Sequence, residues 1–143
     1  MSIKQLSVFA ENKPGKLLKV IKVLADNSID IRALSVADSQ DFGILRMIVS
    51  DADKAHDILK NAGCISKVNH VISVSVPNKP GALAELLALF ADNGIEIEYM
   101  YSLFSHGDGE ADMIIRVVHN YDVDGLLDKN GYKIITEEDL DIV

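Results

Sequence analysis

The sequence has no tryptophan, one cysteine (Cys64), three prolines and only 6% aromatic residues. A single cysteine forms no internal disulfide and no thiolate cluster for a metal. Basic residues are scarce too: 14 Lys and Arg stand against 22 Asp and Glu, a formal charge of −8. A surface this acidic repels phosphate backbones and anionic lipid, so neither nucleic acid nor membrane is expected as a partner. No apolar run approaches the roughly 20 residues that span a bilayer. Met1-Ser2-Ile3-Lys4-Gln5 lacks the basic-then-apolar layout of a secretory signal. These absences predict a cytoplasmic protein with no metal and no cofactor.

What is present is 143 residues, 48% of them hydrophobic. A single body of this size buries roughly 70% of its unfolded surface, whereas halves of about 60 residues bury nearer 60%. Two separate halves would therefore lean on each other. Charge divides unevenly between them. Residues 1–69 hold ten basic and eight acidic side chains, residues 70–143 four and fourteen. The asymmetry reads as two solvated surfaces of different composition, or as halves that attract each other or a partner.

The chain repeats itself. Asn12-Lys13-Pro14-Gly15-Lys16-Leu17 returns 66 positions later as Asn78-Lys79-Pro80-Gly81-Ala82-Leu83. At the same offset Ala25-Asp26-Asn27-Ser28-Ile29-Asp30-Ile31 returns as Ala91-Asp92-Asn93-Gly94-Ile95-Glu96-Ile97. Ile44-Leu45-Arg46 matches Ile114-Ile115-Arg116 at offset 70, which makes the two arginines equivalent and puts four extra residues at the Ser105–Gly109 hairpin tip. Ile58-Leu59 and Leu126-Leu127 then align at 68, followed by Gly63 and Gly131.

Each copy reads as strand, helix, strand, strand, helix, strand. Ile72, Val74 and Val76 alternate with Ser73 and Ser75, the period of a half-buried strand. Leu17, Ile21 and Leu24, and likewise Leu83, Leu87 and Phe90, fall on one helical face, leaving Lys16, Lys19 and Lys22 to water. Asn27-Ser28 and Asn93-Gly94 supply a left-handed helix stop. The fold class is α+β: two ferredoxin-like βαββαβ repeats, residues 1–69 and 70–143, each an antiparallel sheet with both helices on one face. Apolar residues on both faces of the third strands predict partial burial of the helix-free face, hence a homo-oligomer.

The Asn-Lys-Pro-Gly turn leads into a helix N-terminus. Proline suits the first helical turn, where its missing N–H has no partner to lose. Glycine lets a bound group approach the backbone, and the free amides present positive partial charge. Such a turn holds a carboxylate, and the Asn amide suits a zwitterion. The alternative is a structural or interaction module in which Asn caps the helix and Pro-Gly shapes the turn.

Asn-x-Pro-Gly-x-Leu between a first strand and helix, then Asp-Asn-x-Ile-(Asp/Glu)-Ile entering a second strand, resembles the ACT domain, and the chain resembles two in tandem. The motifs cover about residues 3–36 and 70–101. The resemblance implies a non-catalytic regulatory protein that binds an amino acid, acts on a metabolic enzyme and pairs domains through their second strands. It places one ligand among Asn12, Pro14, Gly15, Lys16 and Leu17 with Asn93, Ile95, Glu96 and Ile97. The other falls among Asn78, Pro80, Gly81, Ala82 and Leu83 with Asn27, Ile29, Asp30 and Ile31. Asp30 or Glu96 would meet an ammonium while helix amides meet the carboxylate. Lys16 against Ala82 implies unequal pockets.

Other residues point to less. His106, Asp108, Glu110 and Asp112 alternate at a polar hairpin tip without EF-hand spacing. His56, His70 and His119 have no evident nucleophile beside them. Cys64 reads as a packed residue, and Tyr99 and Tyr101 as two rings on one strand face.

Overall fold

The computed structural model describes residues 2–11, 13–38, 42–103, 109–119 and 121–142. Along the chain run β1 (Ser2–Glu11), α1 (Lys16–Asp26), β2 (Ile31–Asp38), β3 (Phe42–Val49), α2 (Ala52–Asn61) and β4 (Ile65–Pro77). Then follow α3 (Ala82–Asp92), β5 (Ile97–Ser102), β6 (Glu110–Val117), α4 (Val123–Lys129) and β7 (Lys133–Ile134). Among the described residues no helix is long and apolar enough to cross a membrane.

The chain divides into two compact units, Lys4–Asn69 with Glu137–Val143 and Met1–Ile3 with His70–Thr136. In the first, β3 pairs antiparallel with both β1 and β2. In the second, β6 pairs antiparallel with β4 and β5, and the two-residue β7 lies against β4. Each sheet carries both of its helices on one face. Leu6, Val8, Leu45 and Met47 meet Val20 and Leu24 of α1 and Ala55 and Leu59 of α2 in one core. Val74, Val76 and Ile115 meet Leu86, Phe90, Val123 and Leu127 in the other.

The register tightens the repeat and corrects one part of it. Leu6 lies opposite Met47, and Ile72 opposite Ile115. The first strands are thus 66 residues apart and the third strands 68, so the hairpin holds two extra residues where the sequence match suggests four. Arg46 faces Ser7 and Ser35, whereas Ser73 faces Ile114 and Arg116 faces Tyr99. The arginines are therefore not equivalent. An Ile-x-Arg triplet simply recurs two positions further along the strand. Both second strands shift register at the same place, between Ile31 and Ala33 and between Ile97 and Tyr99.

Side chains on the helix-free faces are also buried. Gln5, Ser7, Ala33 and Ile48 are buried in the first unit, Val71, Ser73 and Ile114 in the second. Ser7 Oγ accepts from Gln5 Nε2 (3.2 Å) and donates to Asn69 Oδ1 (2.9 Å), which pairs the Gln5 and Ser7 side chains of the first unit.

Candidate functional site

The Pro-Gly turns have the same geometry in both repeats. Gly15 (φ +84°) and Gly81 (φ +87°) are the helix N-caps, and neither helix receives a side-chain cap. Proline therefore lies before the cap, outside the first helical turn where the sequence suggested it. The left-handed backbone requires glycine, and a Cβ on either glycine would meet no atom within 4 Å. The turn closes through Lys16 N donating to Lys13 O (3.2 Å) in one copy and Ala82 N donating to Lys79 O (3.3 Å) in the other. Lys19 N and Glu85 N then donate to Gly15 O and Gly81 O, both at 3.0 Å. Between them the amides of Leu17 and Leu18, and of Leu83 and Ala84, have no acceptor among the described residues.

Asn78 donates its backbone N–H to Gly109 O (2.9 Å), while its side-chain amide makes no hydrogen bond among the described residues. It caps nothing. Asn12 lies outside the described residues. Leu17 and Leu83 differ from their expected place in the core. Both stay about two-fifths exposed, at 42% and 41%, because the stripes that bury are Val20 and Leu24 in α1 and Ala82, Leu86 and Phe90 in α3. Each turn thus sets two unpaired amides beside an exposed aliphatic side chain. Their electrostatics differ. Lys13 and Lys16 stand at the first, where the hydrogen bond from Lys13 and then the Lys13 and Lys16 charges hold the Glu11 carboxyl below its usual range. Lys79 and Glu85 flank the second, with Ala82 between them.

The helix-exit segments are built to stop a helix. Ser28 (φ +60°) and Gly94 (φ +67°) take the left-handed position. Ile29 N donates to Leu24 O (3.0 Å) and Ser28 N to Ala25 O (3.1 Å); Ile95 N donates to Phe90 O (2.9 Å) and Gly94 N to Ala91 O (3.1 Å). Asn27 Nδ2 and Asn93 Nδ2 each donate to a carbonyl of the last turn, Val23 O and Leu89 O, at 2.8 Å. Those two amides are engaged in capping. Ile29 and Ile95 are buried, and Ile31 and Ile97 half-buried. That leaves the carboxylates. Asp30 is ion-paired with Arg32, and Glu96 is exposed with no side-chain partner among the described residues.

Each helix has 11 residues and so separates its own turn from its own exit by about 16 Å. One small molecule cannot touch both ends of one helix.

The remaining candidates lack a site. His106 and Asp108 lie outside the described residues, and among the described residues no group of three or more His, Cys, Asp or Glu could hold a metal. Cys64 packs against the first core. Tyr99 and Tyr101 stack with ring centroids 6.4 Å apart. An open groove of about 460 Å³ in the second unit was not foreseen. It lies among the middle of β4, the end of β6 and the start of α4, and contains none of the turn or exit residues. It sits where α4, aligned to α2 through Gly131 and Gly63, begins one turn late.

The family described as an ACT domain pair matches residues 1–142. The chain is an ACT domain pair. The crystal structure of protein BT0572 from Bacteroides thetaiotaomicron is similar over 100% of this chain and 98% of that one, with 40% identity and a TM-score of 0.91. The ligand-free regulatory subunit of aspartate kinase from Thermus thermophilus shares the fold at 18% identity and TM-score 0.57, over 78% of this chain and 81% of that one. The corresponding subunit from Thermus flavus does so at 19% identity and TM-score 0.57, with the same coverage. No curated protein is significantly similar.

Proposed function

We propose that this ACT pair is a non-catalytic cytoplasmic regulator that binds an amino acid or similar zwitterion at its Asn-Lys-Pro-Gly turns. The observation that carries the reading is the repeated set of unpaired amides, Leu17 and Leu18 in one copy and Leu83 and Ala84 in the other, beside glycines with open space in front of them. Such amides at a helix start suit a carboxylate. The side-chain amide of Asn78 and the exposed Leu17 and Leu83 suit the rest of a zwitterion. The facing half of each site comes from the exit segment of another domain, where Asp30 or Glu96 receives the ammonium. A ligand that bridges two domains favours one packing over another, and that difference is the signal to an associated metabolic enzyme or a second copy of the chain. The reading of the turns as helix caps alone is disfavoured by an Asn78 side chain that caps nothing.

A thermal-shift screen over the proteinogenic amino acids tests the proposal. A ligand at about 100 times its Kd stabilises the fold by roughly 2.7 kcal/mol. A flat response to every amino acid would refute it.

A further inference from the structure

The two exit carboxylates stand in different company. In the first repeat Asp30 Oδ2 accepts from Arg32 Nη1, and Arg32 Nε donates to Leu140 O at 3.1 Å. One guanidinium therefore holds an exit-segment carboxylate with one edge and the C-terminal segment with another. At the corresponding place in the second repeat, 66 residues on, Glu98 replaces Arg32 and instead accepts from Arg116 Nε (3.2 Å). Glu96 is left without a side-chain partner among the described residues. Arg32, Asp30 and Glu137–Val143 all belong to one compact unit, so this is a contact inside that unit.

The C-terminal segment is a short folded strap. Leu140 N and Ile142 N donate to Glu137 O at 3.2 and 2.9 Å, and Leu140 is buried to 9% exposure. Near its start, the charge of Glu137 acts on the Lys4 ammonium of β1, which pairs with Asp53 at 2.6 Å. Arg32 provides a side-chain hydrogen bond to the strap's far end.

We infer that Arg32 is a positioning residue that couples the occupancy of Asp30 to the C-terminal strap. The inference rests on the proposed role of Asp30 in receiving a ligand ammonium. An ammonium on Asp30 competes with Arg32 for the same carboxylate. A guanidinium without its carboxylate gains freedom to turn outward to water, and the strap loses a charge-assisted hydrogen bond at Leu140. Binding at Glu96 displaces no such partner and leaves the strap alone. One exit thus signals and the other only binds, although their carboxylate side chains differ by a single methylene.

Hydrogen exchange on the full chain, with mass-spectrometric readout over residues 137–142, tests this. Without ligand, Arg32→Ala should exchange there about tenfold faster than wild type, the scale of one lost hydrogen bond to a charged group. Unchanged exchange overturns the inference whatever the ligand results. The probe for the second arm is whichever amino acid gives the largest thermal shift. It should speed exchange over 137–142 in wild type and in Glu96→Gln, but not in Asp30→Asn. Binding with a silent strap overturns the coupling and leaves the proposed function standing. No thermal shift with any amino acid overturns the function, and the coupling with it.

Discussion

Replacing Gly81 by alanine isolates what the turn backbone contributes. Gly81 sits at φ +87°, and a Cβ there would touch no atom within 4 Å, so the substitution carries no packing term. Only the cost of a left-handed L-residue remains, roughly 1–2 kcal/mol. For a chain of this size that lowers Tm by about 2–8 °C, at about 2–4 °C per kcal/mol. Asparagine tolerates the left-handed region better, so Gly81→Asn should lose less than Gly81→Ala. Gly43 is the internal control. It lies in β3 without positive φ, and its Cβ would meet Ala10 O and Ala37 O at ordinary distances of 3.7 and 3.9 Å. Gly43→Ala should therefore be neutral or slightly stabilising. Calorimetric unfolding of the four proteins reads these differences directly. Valine, being β-branched, is a poorer probe, since its strain at positive φ confounds folding with binding. Equal Tm for Gly81→Ala and wild type would refute the reasoning, as would a Gly43→Ala loss larger than that of Gly81→Ala.

Other perturbations test the frame around the site. Phe90→Ala empties a fully buried position in the second core and should cost about 3–5 kcal/mol, seen as a lower urea midpoint. Asp51 caps α2 by accepting from Lys54 N (3.1 Å); Asp51→Ala should lose about 1 kcal/mol and Asp51→Ser almost nothing by the same assay. The Lys4 ammonium is raised above its usual 10.5 by its hydrogen bond to Asp53 and then by the Asp53 charge. A raised folded value means stability that is present below 10.5 and fades as pH climbs through the higher value. Lys4→Met should therefore lower Tm slightly in the neutral region and flatten the alkaline limb of a Tm-against-pH curve, the two proteins converging at high pH.

Much of this fold was legible because the chain states it twice. The alternation of Ile72, Val74 and Val76, the helix stops at Asn27-Ser28 and Asn93-Gly94, and the two Pro-Gly turns appear where their chemistry requires. Misreadings arose where a local pattern has two solutions. The Ile-x-Arg triplet aligned equally well two residues away, and only cross-strand partners fix the register. Leu17 and Leu83 match the helical period, yet they sit in the first turn of their helices and remain exposed. Proline is compatible both with the first helical turn and with the position before the cap, and the positive φ of the following glycine decides for the latter. At the site, sequence marks Asn27 and Asn93 as polar and available, but their amides are taken by helix carbonyls. The Arg32 contact with Leu140 spans 108 residues and has no local signature.

The most direct measurement is the response of single backbone amides to ligand, read from ¹⁵N–¹H correlation spectra during titration with the best-binding amino acid. The account predicts that the amides of Leu17 and Leu18, or of Leu83 and Ala84, shift first and most, as a carboxylate takes up their unpaired hydrogens. Saturation with those four resonances unmoved would contradict it.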